Sequence, residues 1–339
     1  MHNLRHLARA TTGISYLLQR EHVWGQPVFF TIETINSCNF RCVYCPQSDQ
    51  DHHFVNGRGI MSLENFRRVI ANLRSCFDVR IVSLHRDGEP LLNKRLEEYV
   101  AHLTGQGIYV TVSSNCSIVS DERAQRLVAA GLRMVGTDFC ADSALYERLR
   151  VKGVWGETLQ GIRRLLRAGE DQRADFRIVI KDMATHGVPP KEAAALMART
   201  QALFTEWPGR VTVMPVYFHN ALGESLLNLS VNGPQAPEQT FYTLCHQPWV
   251  NFTIDFAGRV VGCCRDLRSE YVLGNLLEQP ADEIWNGERM VALRRALIHK
   301  RPQDIGICKA CDVPWHGSYS GRSPIEKVRN FFFAGAWRR

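Results

Sequence analysis

Cys38, Cys42 and Cys45 stand in the run Cys-Asn-Phe-Arg-Cys-Val-Tyr-Cys-Pro, a C-x3-C-x2-C spacing with no fourth cysteine close by. A cubane [4Fe–4S] cluster normally takes four thiolates, so three leave one iron free to bind something else. Zinc usually takes four ligands in paired C-x2-C clusters, and a disulfide framework suits small secreted chains. The segment Pro27–Ile35 (PVFFTIETI) is β-branched and aromatic and reads as a strand. The three thiols therefore lie in a loop just past a strand end, where α/β folds build active sites.

A second set lies far along the chain. Cys245, Gly258 and Cys263 form C-x12-G-x4-C, and Cys308 and Cys311 form C-x2-C. Between them come Leu273-Gly-Asn-Leu and Glu283-Ile-Trp-Asn-Gly. Four thiolates can fully ligate one further [4Fe–4S] cluster, and structural zinc could use the same four. Cys264 adjoins Cys263, and either could be the ligand.

The first triad resembles the signature of the radical S-adenosylmethionine (SAM) superfamily, and the second set resembles the SPASM or twitch extension of such enzymes. Together they span residues 28 to about 316. The resemblance implies that SAM chelates the open iron, that one electron cleaves it, and that the resulting 5′-deoxyadenosyl radical abstracts a substrate hydrogen. Such chemistry belongs to the cofactor, and the protein binds, orients and shields it. The cofactors implied are SAM, a SAM-binding [4Fe–4S] cluster and an auxiliary [4Fe–4S] cluster, with Cys263 favoured by the glycine spacing. An electron donor of flavodoxin or ferredoxin type is implied as a partner.

Further residues follow from the resemblance. His85-Arg86-Asp87-Gly88-Glu89-Pro90 looks like the family's Gly-Gly-Glu-Pro motif with Asp87 in place of the first glycine. Its carboxylate and backbone would bind the SAM amino group, as suits an ammonium donor. Tyr44 would lie against adenine. Ser113, Ser114 and Asn115 resemble the family's Thr-Asn-Gly segment, and Asp138 ends a strand facing cofactor or substrate. Arg150 would meet the SAM carboxylate, with a surface arginine as the plain alternative.

These groups need a frame. Six strand-like segments, Val28–Ile35, Arg80–Leu84, Tyr109–Ser113, Met134–Asp138, Phe176–Lys181 and Val211–Val216, are each followed by a helical pattern. Ser62 can cap a helix carrying Leu63, Phe66, Val69, Ile70 and Leu73, and Ser120 can cap another that stops at Gly131. The pattern implies a parallel sheet covered by helices. The expected fold is α/β, a partial (β/α)6 TIM-like barrel over residues 27–227. A helical extension (1–26) precedes it. A linker (228–244), a small cluster module (245–316) with an amphipathic helix around Ile284–Ile298, and an aromatic-rich tail (317–339) follow.

The bulk composition sets bounds. With 339 residues and 45% hydrophobic content the chain can bury a large core. Eleven cysteines, seven in ligand-like sets, suit a reducing cytoplasm. No stretch reaches membrane-span length and no secretory signal is visible. The net charge of +7 carries no aromatic–basic interleaving, so nucleic acid is not an expected partner. The basic groups Arg163, Arg164, Arg167 and Arg294 to Arg301 read as solvated helix faces.

Three uses of such chemistry compete: modification of a sugar, aminocyclitol or nucleoside, as in antibiotic biosynthesis; modification of a peptide; and electron transfer without catalysis. The compact chain favours the first, and the SAM-site matches argue against the third. Asp87, Lys181 and His219 are candidate catalytic residues at strand ends, with His85, Arg86, Asp182 and Tyr217 beside them. Epimerisation would need a thiol such as Cys116, Cys140 or Cys264. Dehydrogenation would need an electron acceptor, dehydration an acid such as His219, and decarboxylation a carboxylate anchor such as Lys181 or Arg86. The basic balance and Lys181 tilt the expectation toward decarboxylation of a uronic-acid nucleoside.

Overall fold

The computed structural model describes residues 11–49, 57–216, 218 and 242–315. Its centre is a nine-stranded sheet. The strands are β1 (Phe29–Ile32), β2 (Ile81–Ser83), β3 (Tyr109–Ser113), β4 (Met134–Phe139), β5 (Arg177–Asp182), β6 (Val211–Pro215), β7 (Asn251–Ile254), β8 (Arg259–Val261) and β9 (Val272–Asn275), in the order β6-β5-β4-β3-β2-β1-β7-β8-β9. Strands β1 to β6 pair in parallel, each with its sequence neighbour. Helices return the chain between them, as parallel pairing requires. This is the expected partial barrel, and its sheet does not close.

The helices form for the expected local reasons. Leu63–Cys76 starts at Ser62, whose side chain accepts from the Asn65 amide, and buries Leu63, Phe66, Val69, Ile70 and Leu73. Asp121–Ala129 starts at Ser120, which accepts from the Arg123 amide. The single helix expected around Ile284–Ile298 is a correction. Two helices, Ala281–Trp285 and Glu288–Ile298, are separated by Asn286 and Gly287. A Cβ on Gly287 would lie 2.8 Å from the Glu283 carbonyl, so the chain turns where the apolar period runs on.

Strands β7 to β9 were not expected. β7 pairs in parallel with β1, and the meander β7–β8–β9 is antiparallel. The cysteine-bearing module thus continues the barrel sheet and covers an edge that β1 would otherwise expose. The join is also apolar. Phe252 packs on Phe30, Phe77 and Trp285 with ring centroids 6.3, 6.0 and 5.9 Å apart. Residues 11–17 are helical, and Tyr16 packs edge-on to Trp249 at 5.6 Å.

The expectation of solvated basic faces fails at Arg294, which has no exposed surface. His219, Tyr217, most of the 228–244 linker and the 317–339 tail lie outside the described residues.

Candidate functional site: two thiol clusters joined by a buried charge network

Cys38, Cys42 and Cys45 lie on the loop after β1, beside the loop after β2. Burial is the main reason all three thiols hold their protons: Cys38 is pushed up to about 12, and Cys42 and Cys45 are raised as well. The thiols also raise one another, Cys42 acting on both Cys38 and Cys45. Such thiols become thiolates only when a metal replaces the proton.

The loop after β2 is locked to the cysteine loop. The Glu89 amide donates to the Ser37 carbonyl at 2.9 Å. A Cβ on Gly88 would fall 2.3 Å from the Ile35 carbonyl oxygen, so only glycine fits there. Pro90 opens a short 3-10 turn capped by Glu89. The buried Glu89 carboxylate accepts from the Leu91 amide at 3.0 Å, Ser114 Oγ at 2.8 Å and the Asn115 amide at 2.7 Å. Asn115 Nδ2 donates to Asn39 at 2.9 Å. Glu89, Ser114 and Asn115 therefore knit three strand ends together, and the Glu89 oxygens are committed to protein donors.

At the strand ends a polar group converges on Asp138. Arg150 Nη1 reaches Asp138 Oδ2 at 3.2 Å and Tyr44 Oη at 2.8 Å, and Lys181 Nζ lies 3.8 Å from Asp138 Oδ1. Arg150 is buried, which excludes the surface reading, and its Nε has no hydrogen-bond partner. An orphaned buried guanidinium donor fits a carboxylate ligand. The Tyr44 ring stacks on Phe218 at 4.2 Å. His85 Nδ1 lies 2.7 Å from Ser83 Oγ, and burial followed by the charge of Lys181 lowers its pKa to about 4. Lys181 itself is about half exposed. Cys116 and Cys140 have no exposed surface, and burial lifts both to about 12.

The second set also converges. Cys245, Cys263, Cys308 and Cys311 line one cavity, and Cys264 is not among its lining residues. Burial raises Cys245 to about 12 and raises Cys308 and Cys311, while Cys263 is raised first by its hydrogen bond with Cys264. Among the described residues no three His, Cys, Asp or Glu side chains meet closely enough to hold a single ion. A [4Fe–4S] cluster takes one thiolate on each of its four irons. The four-thiol cavity fits a [4Fe–4S] cluster. Gly258, at φ +83°, makes the β7–β8 turn that brings Cys263 back toward Cys245.

Of the residues that bond across to the second set, Arg86 and Asp87 were expected at the strand ends, whereas Glu33, Asp255, Asp266 and Ser269 escaped the sequence reading. Paired β1 and β7 carry the same run, Phe30-Thr31-Ile32 against Phe252-Thr253-Ile254, and each is followed by an acid, Glu33 and Asp255. Glu33 Oε2 accepts from Arg86 Nη1 at 3.0 Å and the Phe256 amide at 3.1 Å, and Oε1 accepts from the Asp87 amide at 3.1 Å. Arg86 Nη2 goes on to the Asp266 carbonyl and, at 2.9 Å, to Ser269 Oγ. Ser269 Oγ donates to Asp255 at 3.1 Å. Burial raises the proton affinity of Glu33, and Arg86 opposes it. Asp87 sits in this group, beside Glu33 and Arg86. An acid closing an apolar strand run was the available signal.

The fold and these thiol sets define an iron–sulfur protein with an open α/β barrel and a cluster-bearing annex. The radical SAM superfamily model matches residues 32–187, and the SPASM iron-sulfur cluster-binding domain model matches residues 245–312. The chain thus carries a radical SAM domain and a SPASM domain, and its cofactors are SAM and two iron–sulfur clusters. It is 21% identical over 286 residues to the S-adenosyl-L-methionine-dependent 2-deoxy-scyllo-inosamine dehydrogenase of Niallia circulans, covering 83% of this chain and 91% of the relative. It is 26% identical over 182 residues to GTP 3′,8-cyclase of Gloeobacter violaceus, covering 53% of this chain and 55% of the relative. The chain spans about half the length of that cyclase and under a third of two other relatives, an Fe-coproporphyrin III synthase and a PqqA peptide cyclase. Among solved structures, BtrN with AdoMet and 2-DOIA shares the fold with a TM-score of 0.59 at 19% identity, over 85% of this chain and 93% of that one. anSMEcpe with bound AdoMet gives 0.56 at 14% identity, over 92% and 98%. Among the described residues no helix is long and apolar enough to cross a membrane.

Proposed function

We propose that this radical SAM enzyme oxidises a secondary hydroxyl of a sugar- or cyclitol-type small molecule to a ketone. The observation that carries the reading is the four-thiol cavity in a module sharing one sheet with the barrel. When bound, SAM supplies the 5′-deoxyadenosyl radical that removes the carbon-bound hydrogen, and the auxiliary cluster supplies an acceptor for the electron the substrate must then lose. Cys38, Cys42 and Cys45 would hold the first cluster, and Cys245, Cys263, Cys308 and Cys311 the second. Backbone carbonyls of residues 86–88 remain for the SAM amino group, since the Glu89 oxygens are occupied. Arg150 Nε would take the SAM carboxylate. Asp138 and Lys181 would hold substrate hydroxyls, and His85, neutral at pH 7, would accept the hydroxyl proton. Overall similarity to an aminocyclitol dehydrogenase over 91% of its length supports the same class.

Decarboxylation of a uronic-acid nucleoside is the second reading. It is favoured by the half-exposed Lys181, whose ammonium could anchor a carboxylate, although Asp138 already faces it. Epimerisation through Cys116 or Cys140 has less support, because both thiols are fully buried. Radical SAM chemistry needs an external electron donor, here of flavodoxin or ferredoxin type, in a reducing cytoplasm. The test is anaerobic turnover of reconstituted, reduced enzyme against aminocyclitols, glycosides, uronic-acid nucleosides and short peptides, following 5′-deoxyadenosine and substrate mass. Loss of two hydrogens supports oxidation. Loss of carbon dioxide selects decarboxylation, loss of water dehydration and no mass change epimerisation. Stimulation by peptides alone would overturn the small-molecule reading.

A further inference from the structure

The helix Glu288–Ile298 lines the four-thiol cavity with Leu293 and Leu297, and between them in sequence lies Arg294. Its side chain is fully buried. Nε donates to the Pro248 carbonyl at 3.0 Å, and Pro248 is itself part of the cavity wall. Nη1 donates to the Glu21 carbonyl at 3.1 Å and to Asn286 Oδ1 at 3.0 Å. The guanidinium lies 4.4 Å from the Trp285 ring centre, and Nη2 has no partner. Every acceptor is neutral. The Glu21 carboxylate pairs with Arg295 instead, and none of the ion pairs among the described residues includes Arg294. Burial alone lowers its pKa, to about 9, which leaves it cationic at pH 7.

A buried cation without a counter-ion is costly, and a methionine would fill the same space without that cost. The four-thiol cavity lies on the far side of Pro248, which accepts the Arg294 Nε bond and lines the cavity with Leu293 and Leu297 of the same helix as Arg294. Four thiolates give a [4Fe–4S] cluster net negative charge, and reduction adds one more; net charge is among the terms that set its potential. Arg265 and Asp266 also line the cavity, but with opposite signs. Arg294 has no such offset among the described residues.

We propose that Arg294 is a fixed counter-charge for the auxiliary cluster that raises its reduction potential and so lets it accept an electron. The proposal rests on the auxiliary cluster and not on any particular substrate. The test is an EPR-monitored redox titration of the reconstituted enzyme without substrate. Arg294→Met and Arg294→Gln are expected to lower the auxiliary cluster's reduction equilibrium about tenfold, which is 59 mV for one electron. Arg294→Lys, which keeps the charge but not the hydrogen-bond fork, is expected to stay near wild type. A shift in the lysine variant as large as in methionine, or no shift in methionine with the cluster present, overturns the proposal. Asn286→Asp keeps the arginine and places a carboxylate against Nη1, so it tests the charge even if Arg294→Met fails to fold. It too must lower the potential, and an unchanged value overturns the proposal. Absence of a second cluster in the wild-type enzyme would overturn both the proposal and the reading of the cavity. Failure to oxidise hydroxyl groups leaves the potential measurement intact.

Discussion

Replacing Arg86 with methionine should be among the most damaging single changes outside the cysteines. Arg86 and Glu33 side chains are each 1% exposed and meet at 3.0 Å. At an effective dielectric of about 20, that separation corresponds to roughly 5 kcal/mol of attraction, offset in the native protein by the desolvation of both ions. Methionine removes the attraction, keeps the Glu33 desolvation, and leaves that carboxylate near Asp87 and Asp255, which disfavour its charge. It also removes the bonds to the Asp266 carbonyl and Ser269 Oγ. The expected cost is about 3–5 kcal/mol, the usual penalty for orphaning a buried charge. Anaerobic urea titration followed by tryptophan fluorescence measures it as a lower midpoint at unchanged slope. Glu33→Gln in the Arg86→Met background removes the stranded charge while keeping one oxygen for the backbone amides, and should restore about 1–2 kcal/mol. Strictly additive effects of the two substitutions, or a cost for Arg86→Met below about 1 kcal/mol, would refute the claim that this pair clamps the loop after β2 to the cluster module.

Other outcomes follow from the same geometry. Cys263→Ala should reduce iron content by about four atoms per chain while Cys264→Ala should not, as measured by iron analysis and Mössbauer spectroscopy; equal losses would contradict the cavity assignment. Gly88→Ala places a Cβ 2.3 Å from the Ile35 carbonyl oxygen and should abolish SAM binding in equilibrium dialysis. His85, held neutral in the fold at about 4 against 6.5 when unfolded, binds fewer protons folded than unfolded. Its contribution is therefore complete above about pH 6.5 and is lost as pH falls toward about 4, by about 1–3 kcal/mol. In His85→Gln that part of the pH–stability slope should vanish.

The sequence made the barrel legible because each of its signals is local. Strand runs of β-branched residues, the serine caps at Ser62 and Ser120, and the cysteine spacings are all decided within a few residues. What it hid depends on partners far along the chain. Glu33 falls inside the strand expected over Val28–Ile35 and carries no signal of its partners there; only the pairing of β1 with β7 sets it beside Asp255 and under Arg86. Strands β7 to β9 are three or four residues long, too short for a period to register. Arg294 was read from its charged neighbours as part of a solvated face, yet Leu293, Ala296 and Leu297 surround it with apolar residues, and Arg295 takes the exposed position instead.

The buried charges have a common placement. Arg86 bonds the loop after β2 to the Asp266–Ser269 turn just after Cys263. Arg294 bonds the helix that walls the auxiliary cavity to Pro248, close after Cys245. Each cation therefore fixes the backbone close after a cavity-lining cysteine rather than the cysteine itself. A hydrophobic core would hold those segments as firmly, since apolar replacements of buried ion pairs are often neutral or stabilising. Charge offers something packing does not: an interaction whose strength changes when a cluster gains an electron. If stability alone explained these arginines, paired apolar replacements would leave cluster potentials untouched. The two sites differ in this respect, because Arg86 is matched by Glu33 whereas Arg294 is matched by no described carboxylate. The double replacement at residues 33 and 86 should therefore move the auxiliary potential less than Arg294→Met does, and the reverse order would place the electrostatic control at the sheet junction instead of on the cavity helix.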